Sequence, residues 1–238
     1  MLNRLLLAST FLVTLVGGAA AADIMNIASQ PAGFVWTGGY VGLNAGYGWG
    51  RVDNIVHSPI DGPIGNLPTL EPKGFLGGIQ AGYNYQMNNV VIGVEGDITF
   101  GKLNDSAYRD PIPQTNYFET EYRSLATLRG RLGFAVDRLL VYGTAGLAVA
   151  DIKDRYGFQD DPGFDYTRSG WKAGWTIGVG GEYAVTNQWT IKAEYLHADF
   201  GSRDLNVGDA WGDIGSPDST QTSDHTLNVV RVGLNYKF

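Results

Sequence analysis

The residues best suited to chemistry in this chain are few. There are three histidines, His57, His197 and His225, and imidazole is a common metal ligand. His197 and His225 fall near the ends of two consecutive predicted strands, so they could share a metal or an axial haem contact. The plainer reading makes them exposed rim residues. Ser223, Asp224 and His225 put a hydroxyl, a carboxylate and an imidazole side by side. Adjacent residues on a strand point to opposite faces, so this run does not assemble a nucleophile with its base. Asp-rich stretches, Gln159 to Asp165 and Asp204 to Asp224, offer oxygen ligands for Ca²⁺ or Mg²⁺, against the plain reading of solvated acidic segments. Gly178-Val179-Gly180-Gly181 invites a phosphate-cradle reading, but no helix follows to supply its N-terminus. With no cysteine, disulfides and thiolate centres are excluded. The expectation is a protein that is not an enzyme, with no catalytic, metal or cofactor site.

A second set of charges is distributed differently. Glu95, Asp97, Glu121, Arg123, Arg129, Arg131, Lys172, Glu182, Lys192, Glu194, Arg231 and Lys237 mostly recur at intervals of two, each between apolar neighbours. Period-two alternation is the mark of a β-strand with one apolar and one polar face. It is clearest in the last stretch, where Val230, Val232, Leu234, Tyr236 and Phe238 alternate with Arg231, Gly233, Asn235 and Lys237. The same pattern predicts eight strands, at 36–50, 74–86, 90–101, 120–135, 139–153, 170–184, 189–200 and 228–238. Strand 139–153 is nearly all apolar or small, and Val141, Ala145, Leu147 and Val149 are assigned to its outer side. Connections alternate long and short. The short ones are Met87-Asn88-Asn89, Val136-Asp137-Arg138 and Thr186-Asn187-Gln188.

The start of the chain is of another kind. Arg4, an apolar run from Leu5 to Val16 and small residues through Ala22 read as a secretory signal peptide, residues 1–22. A short leader, 23–35, precedes the strand domain, 36–238. Removing the signal leaves 16 basic and 24 acidic side chains, which argues against nucleic acid as a partner. No apolar run is long enough for a spanning helix. Charged residues are only 17% and mean hydropathy is −0.11. A membrane protein of this composition crosses with strands, because alternating faces average out.

Alternation alone leaves inside and outside interchangeable. Three features decide it. Glycines concentrate on the polar face, as needed where large polar side chains crowd the narrow interior of an eight-stranded barrel. Aromatics, among them Trp49, Tyr85, Phe100, Tyr122, Phe134, Trp171, Tyr183, Trp189, Tyr236 and Phe238, sit near strand ends on the apolar face, where membrane barrels carry interfacial girdles. The twelve charges nearly balance, as buried charges must. The expected fold is therefore all-β, an eight-stranded antiparallel up-and-down transmembrane barrel with long extracellular loops and short periplasmic turns. The four long loops carry net charges of −1, −1, −2 and −4.

WTGGYVGLNAGYGWG, GFLGGIQAGYNYQ, VIGVEGDI, LLVYGTAGLAVAD and the terminal VGLNYKF resemble the small outer-membrane β-barrels of alphaproteobacteria, a group that includes the Brucella and Bartonella surface barrels and the rhizobial RopB type. The resemblance covers the whole chain. It implies an OmpA-like barrel, outer-membrane localisation and a largely structural role, with Val230, Val232, Leu234, Tyr236 and Phe238 as the insertion signal read by the barrel-assembly machinery. Expected partners are outer-membrane lipid and lipopolysaccharide, with divalent cations at the loops bridging aspartates to lipopolysaccharide phosphates. The alternative functions are a narrow porin-like channel and a haem- or metal-binding surface protein.

Overall fold

The computed structural model describes residues 34–58, 62–66, 69–109, 116–158, 161–206 and 220–238. The signal peptide and the leader up to residue 33 lie outside them. The described residues form nine strands: β1 (Gly38–Ser58), β2 (Gly62–Asn66), β3 (Lys73–Met87), β4 (Val90–Arg109), β5 (Asn116–Val136), β6 (Leu139–Phe158), β7 (Asp161–Ala184), β8 (Trp189–Asn206) and β9 (Thr220–Lys237).

Eight of these close into a ring. Neighbours pair antiparallel in the order β1, β3, β4, β5, β6, β7, β8, β9. β9 returns to β1, from Tyr40 opposite Lys237 to His57 opposite Thr220. Closure gives every strand of the ring two paired neighbours, with the β7–β8 ladder ending at Trp175 opposite Asp199, the one way a sheet can satisfy its backbone inside hydrocarbon. The ninth strand, β2, pairs only with the outer end of β1.

The short connections lie together at one end. Met87 pairs with Val90 and Val136 with Leu139, so each turn has two residues between the paired positions. Asn88 and Asp137 open these turns at φ of 54° and 52°, a region that Asn and Asp tolerate better than most residues. In the third turn the Thr186 hydroxyl accepts from the Gln188 and Trp189 amides at 3.2 and 2.9 Å.

The opposite end differs from the sequence expectation. The stretches 51–58, 102–109, 154–158 and 201–206, expected as loop, continue β1, β4, β6 and β8. The reason is physical. Beyond the lipid the outward face turns polar and the alternation signal weakens, although Val52 and Leu103 stay buried, yet backbone pairing with the neighbouring strand persists. Three irregularities mark the changeover: between Phe100 and Leu103, between Tyr122 and Ser124, and between Asp199 and Ser202. Bulges of this kind re-aim the side chains beyond them.

Candidate functional site

The outward face is apolar. Val41, Leu43, Phe75, Ile79, Ile92, Leu132, Val141, Leu147, Val179, Ile191 and Val232 are all exposed, and the inward face holds the polar groups. Of the terminal stretch, Val230, Val232, Leu234 and Phe238 point outward and exposed. Tyr236 is half-buried, with its ring 5.1 Å from Trp189 and 5.6 Å from Phe238.

The middle of the lumen is one ionic network. Arg129 on β5 is its hub, at 2.6 Å from Glu95, 2.9 Å from Asp97 and 2.9 Å from Glu194. Lys192 donates to both Glu95 oxygens at 2.7 and 2.8 Å. Arg231 reaches Asp97 at 2.9 Å and Glu194 at 2.7 Å. Arg131 pairs with Glu182 and lays its guanidinium 3.7 Å over the Tyr142 ring. Four cations thus face four carboxylates, and none of these side chains is more than 3% exposed. Neutral groups fill the remaining valences. Tyr40 donates to Glu95 at 2.7 Å and Tyr142 to Glu194 at 3.2 Å. Thr127 bonds Asp97, while Thr190 and Asn235 bond Glu182. Gln80 links Asn235 to Asn44. Every strand of the ring contributes a member.

Glycine makes room for this. A Cβ on Gly82 would overlap the Tyr40 hydroxyl, and one on Gly180 the Tyr142 ring. The small inner-face residues and the large polar ones are therefore one design.

Four of the twelve expected lumen charges stand elsewhere. Arg123 and Glu121 are corrected to the outer surface. The irregularity between Tyr122 and Ser124 shifts the phase of β5, so Tyr122 turns inward at 2% exposure while Arg123 is exposed and paired with Asp151 at 2.8 Å. Tyr122 thereby leaves the expected aromatic girdle. Lys172 keeps an inward phase but lies at the extracellular mouth, donating to the Gly201 carbonyl at 2.6 Å. Lys237 lies at the periplasmic end, its ammonium 5.4 Å from the Phe34 ring.

The lumen is not polar throughout, as alternation suggested. On the extracellular side of the network Leu76, Leu103, Leu125, Ile152, Leu196 and Phe200 belong to a buried apolar cluster. On the periplasmic side Phe34 and Trp36 enter the barrel and pack with Val91, Ala135, Leu140 and Ala184. The Trp36 amide donates to Gln86 at 2.7 Å. Phe34 and Val35 fall in the predicted leader and Trp36 at the predicted strand start; all three precede β1, and only the charge-free Phe-Val-Trp run hints at burial.

The histidines do not converge. His197 lies outside, bonded to Asn228 at 2.9 Å and 5.7 Å from the Trp175 ring. His225 lies inside and fully buried, 3.2 Å from the Tyr122 hydroxyl. The barrel wall separates them, and His225 is no exposed rim residue. The His57 side chain lies outside the described residues, as do most side chains of the two Asp-rich stretches. Among the described residues no cluster of three or more His, Asp or Glu is arranged to hold a metal.

A closed antiparallel ring with an apolar exterior, exposed aromatics toward both ends (Trp49, Phe100 and Trp171; Tyr85, Phe134 and Tyr183) and matched charges inside defines a transmembrane β-barrel. Comparison with known proteins gives the family. Residues 9–238 match the outer membrane protein beta-barrel domain, and the chain belongs to that family. It is 38% identical to a 31 kDa outer-membrane immunogenic protein of Brucella melitensis, over 92% of this chain and 93% of the relative. It is 30% identical to a 22 kDa outer membrane protein of Rhizobium leguminosarum, over 88% and 81%. Among solved structures, the outer membrane protein OprG of Pseudomonas aeruginosa superposes with a TM-score of 0.60 at 12% identity, covering 85% of this chain and 96% of that one. That likeness supports the fold alone. The protein is an outer-membrane protein.

Proposed function

We propose that this protein is a structural and surface-interaction element of the outer membrane, neither a conduit nor an enzyme. The observation that carries this reading is the filled lumen: a charge-matched network with apolar layers on both sides. An eight-stranded ring is only wide enough for its own side chains, and here those side chains take the space. The mechanism is mechanical. Ion pairs across the lumen tie opposite walls together, and lipid outside has no edge to open. Acidic extracellular segments then face the surroundings, with lipopolysaccharide and divalent cations as the natural partners there, and the terminal aromatic strand engages the assembly machinery. The relatives named immunogenic are consistent with such surface display. Purified protein in planar bilayers is expected to give no stepwise conductance. Steady, salt-dependent single-channel steps from the unaltered barrel would replace this reading with a transport one.

A further inference from the structure

The outer wall has a charge pattern of its own. Passing outward along β3, β4 and β5, the lipid-facing row stays free of charge until it meets a cation: Lys73, Lys102 and Arg123, all exposed. Strand register sets them side by side. Lys73 lies opposite Asn104, two residues beyond Lys102. Arg123 lies opposite the irregularity that contains Lys102. With neighbouring strands about 4.8 Å apart, the three fall in a patch on the order of 10 Å wide. Arg123 shares Asp151, but Lys73 and Lys102 make no ion pair among the described residues. On the opposite arc, β8 presents His197 between Ile177 of β7 and Asn228 of β9, with no cation beside it.

A second feature lies further membrane-ward on the same strands, past the exposed Phe75 and Phe100. Ile79, Ala81, Gly96, Ile98 and Ala126 line an apolar depression. A Cβ on Gly96 would meet nothing nearer than 3.7 Å, so packing within the barrel does not demand glycine there. Its absence of a side chain leaves a furrow facing the acyl-chain layer. Rim cations, with exposed Phe75 and Phe100 next along the strands and the furrow beyond them, match an amphiphile with a phosphate head and hydrocarbon tails. The patch lies at the end away from the short turns, which is the outer leaflet.

We propose that Lys73, Lys102 and Arg123 form the headgroup site for the phosphorylated glycolipid of that leaflet, the lipid anchor of lipopolysaccharide, with an acyl chain lying along the furrow. This rests on the outward orientation adopted under the proposed function and names the residues that would meet that lipid. The cations act directly on phosphate, without a bridging metal.

The test uses the full barrel in detergent, its folding verified by heat-modifiable mobility, titrated with phosphorylated lipid A in native mass spectrometry. Lys73→Glu/Lys102→Glu/Arg123→Glu is expected to raise the apparent Kd at least tenfold. Dephosphorylated lipid A is expected to bind at least tenfold more weakly than the phosphorylated form, and Gly96→Leu to weaken binding with every charge intact. His197→Glu, whose cross-strand neighbours are Ile177 and Asn228, should leave affinity unchanged. A folded triple variant within twofold of the parent, or equal binding of the dephosphorylated lipid, would overturn the site. So would a His197→Glu loss as large as the triple variant's. Full competition by millimolar inorganic phosphate would reassign the patch to free phosphate. A conducting barrel would sink the sealed-lumen reading and leave this binding result standing, so the two failures are distinguishable.

Discussion

Glu95 and Lys102 lie on the same strand, and their charges obey opposite rules. Glu95 is buried among Arg129, Lys192 and the Tyr40 hydroxyl. Lys102 stands outside, exposed, with no ion pair among the described residues. In the lumen every charge carries a large desolvation cost that only an opposing charge and well-placed hydrogen bonds offset. At the outer rim, water or an anionic headgroup meets the charge, and neighbours do not have to match it. Composition therefore cannot separate the two sets. What separates them is whether a residue falls before or after the point where β4 and β5 lose their regular register.

The sharpest way to break this contrast is at the hub. Arg129→Ala leaves Glu95, Asp97 and Glu194 short of a partner in a dry interior. Removing one member of a buried ionic cluster typically costs about 3–5 kcal/mol, and here three carboxylates are affected. Equilibrium unfolding in lipid vesicles, followed by heat-modifiable mobility, is expected to show a loss in that range. A change under about 1 kcal/mol, the size of an exposed pair, would mean that water reaches the network and that the lumen is not sealed.

The adjacent residues Arg231 and Val232 offer a finer test, because one backbone step separates the two environments. Arg231 is 2% exposed to the lumen side and Val232 is 61% exposed on the outer wall. Val232→Lys puts a cation against hydrocarbon without touching the network. Near the bilayer midplane this costs about 2–4 kcal/mol. The same variant in a detergent that lets water reach the wall should recover much of the loss. Equal destabilisation in both media would argue that residue 232 packs against protein rather than lipid.

Much of this was legible before the fold was known, and the reasons are particular. Alternation on β4, β5, β7, β8 and β9 follows from a wall with hydrocarbon on one side. It located Glu95, Asp97, Arg129, Arg131, Glu182, Lys192, Glu194 and Arg231, which converge in the structure. It misplaced Glu121, Arg123 and Tyr122 because a one-residue register shift leaves no trace in residue type. Tyr40 and Tyr142 were invisible for a different reason. An aromatic residue in an alternating strand looks apolar, and only the glycines opposite them, Gly82 and Gly180, betray a ring lying across the lumen. The inner apolar layer around Leu125, Ile152 and Phe200 was also hidden. A rule that assigns polar residues inward says nothing about a level where both faces are apolar.

The smallest expected effect is the most informative about the rim. Lys102→Ala removes a charge that touches no carboxylate among the described residues, so folding stability has little to lose. Substitutions of exposed residues away from caps, cores and networks usually stay within about 0.5 kcal/mol. The unfolding free energy in vesicles of uncharged lipid is expected to move by no more than that. In vesicles whose outer leaflet carries phosphorylated lipid A, wild type should gain stability from any ligand that binds the folded barrel alone, and Lys102→Ala should gain less. That difference between the two lipids sets the rim apart from the lumen, where the loss on removing Arg129 should be the same in both. If Lys102→Ala were equally costly in uncharged lipid, its ammonium would belong to the fold, and the distinction between matched and unmatched charge would fail at the rim.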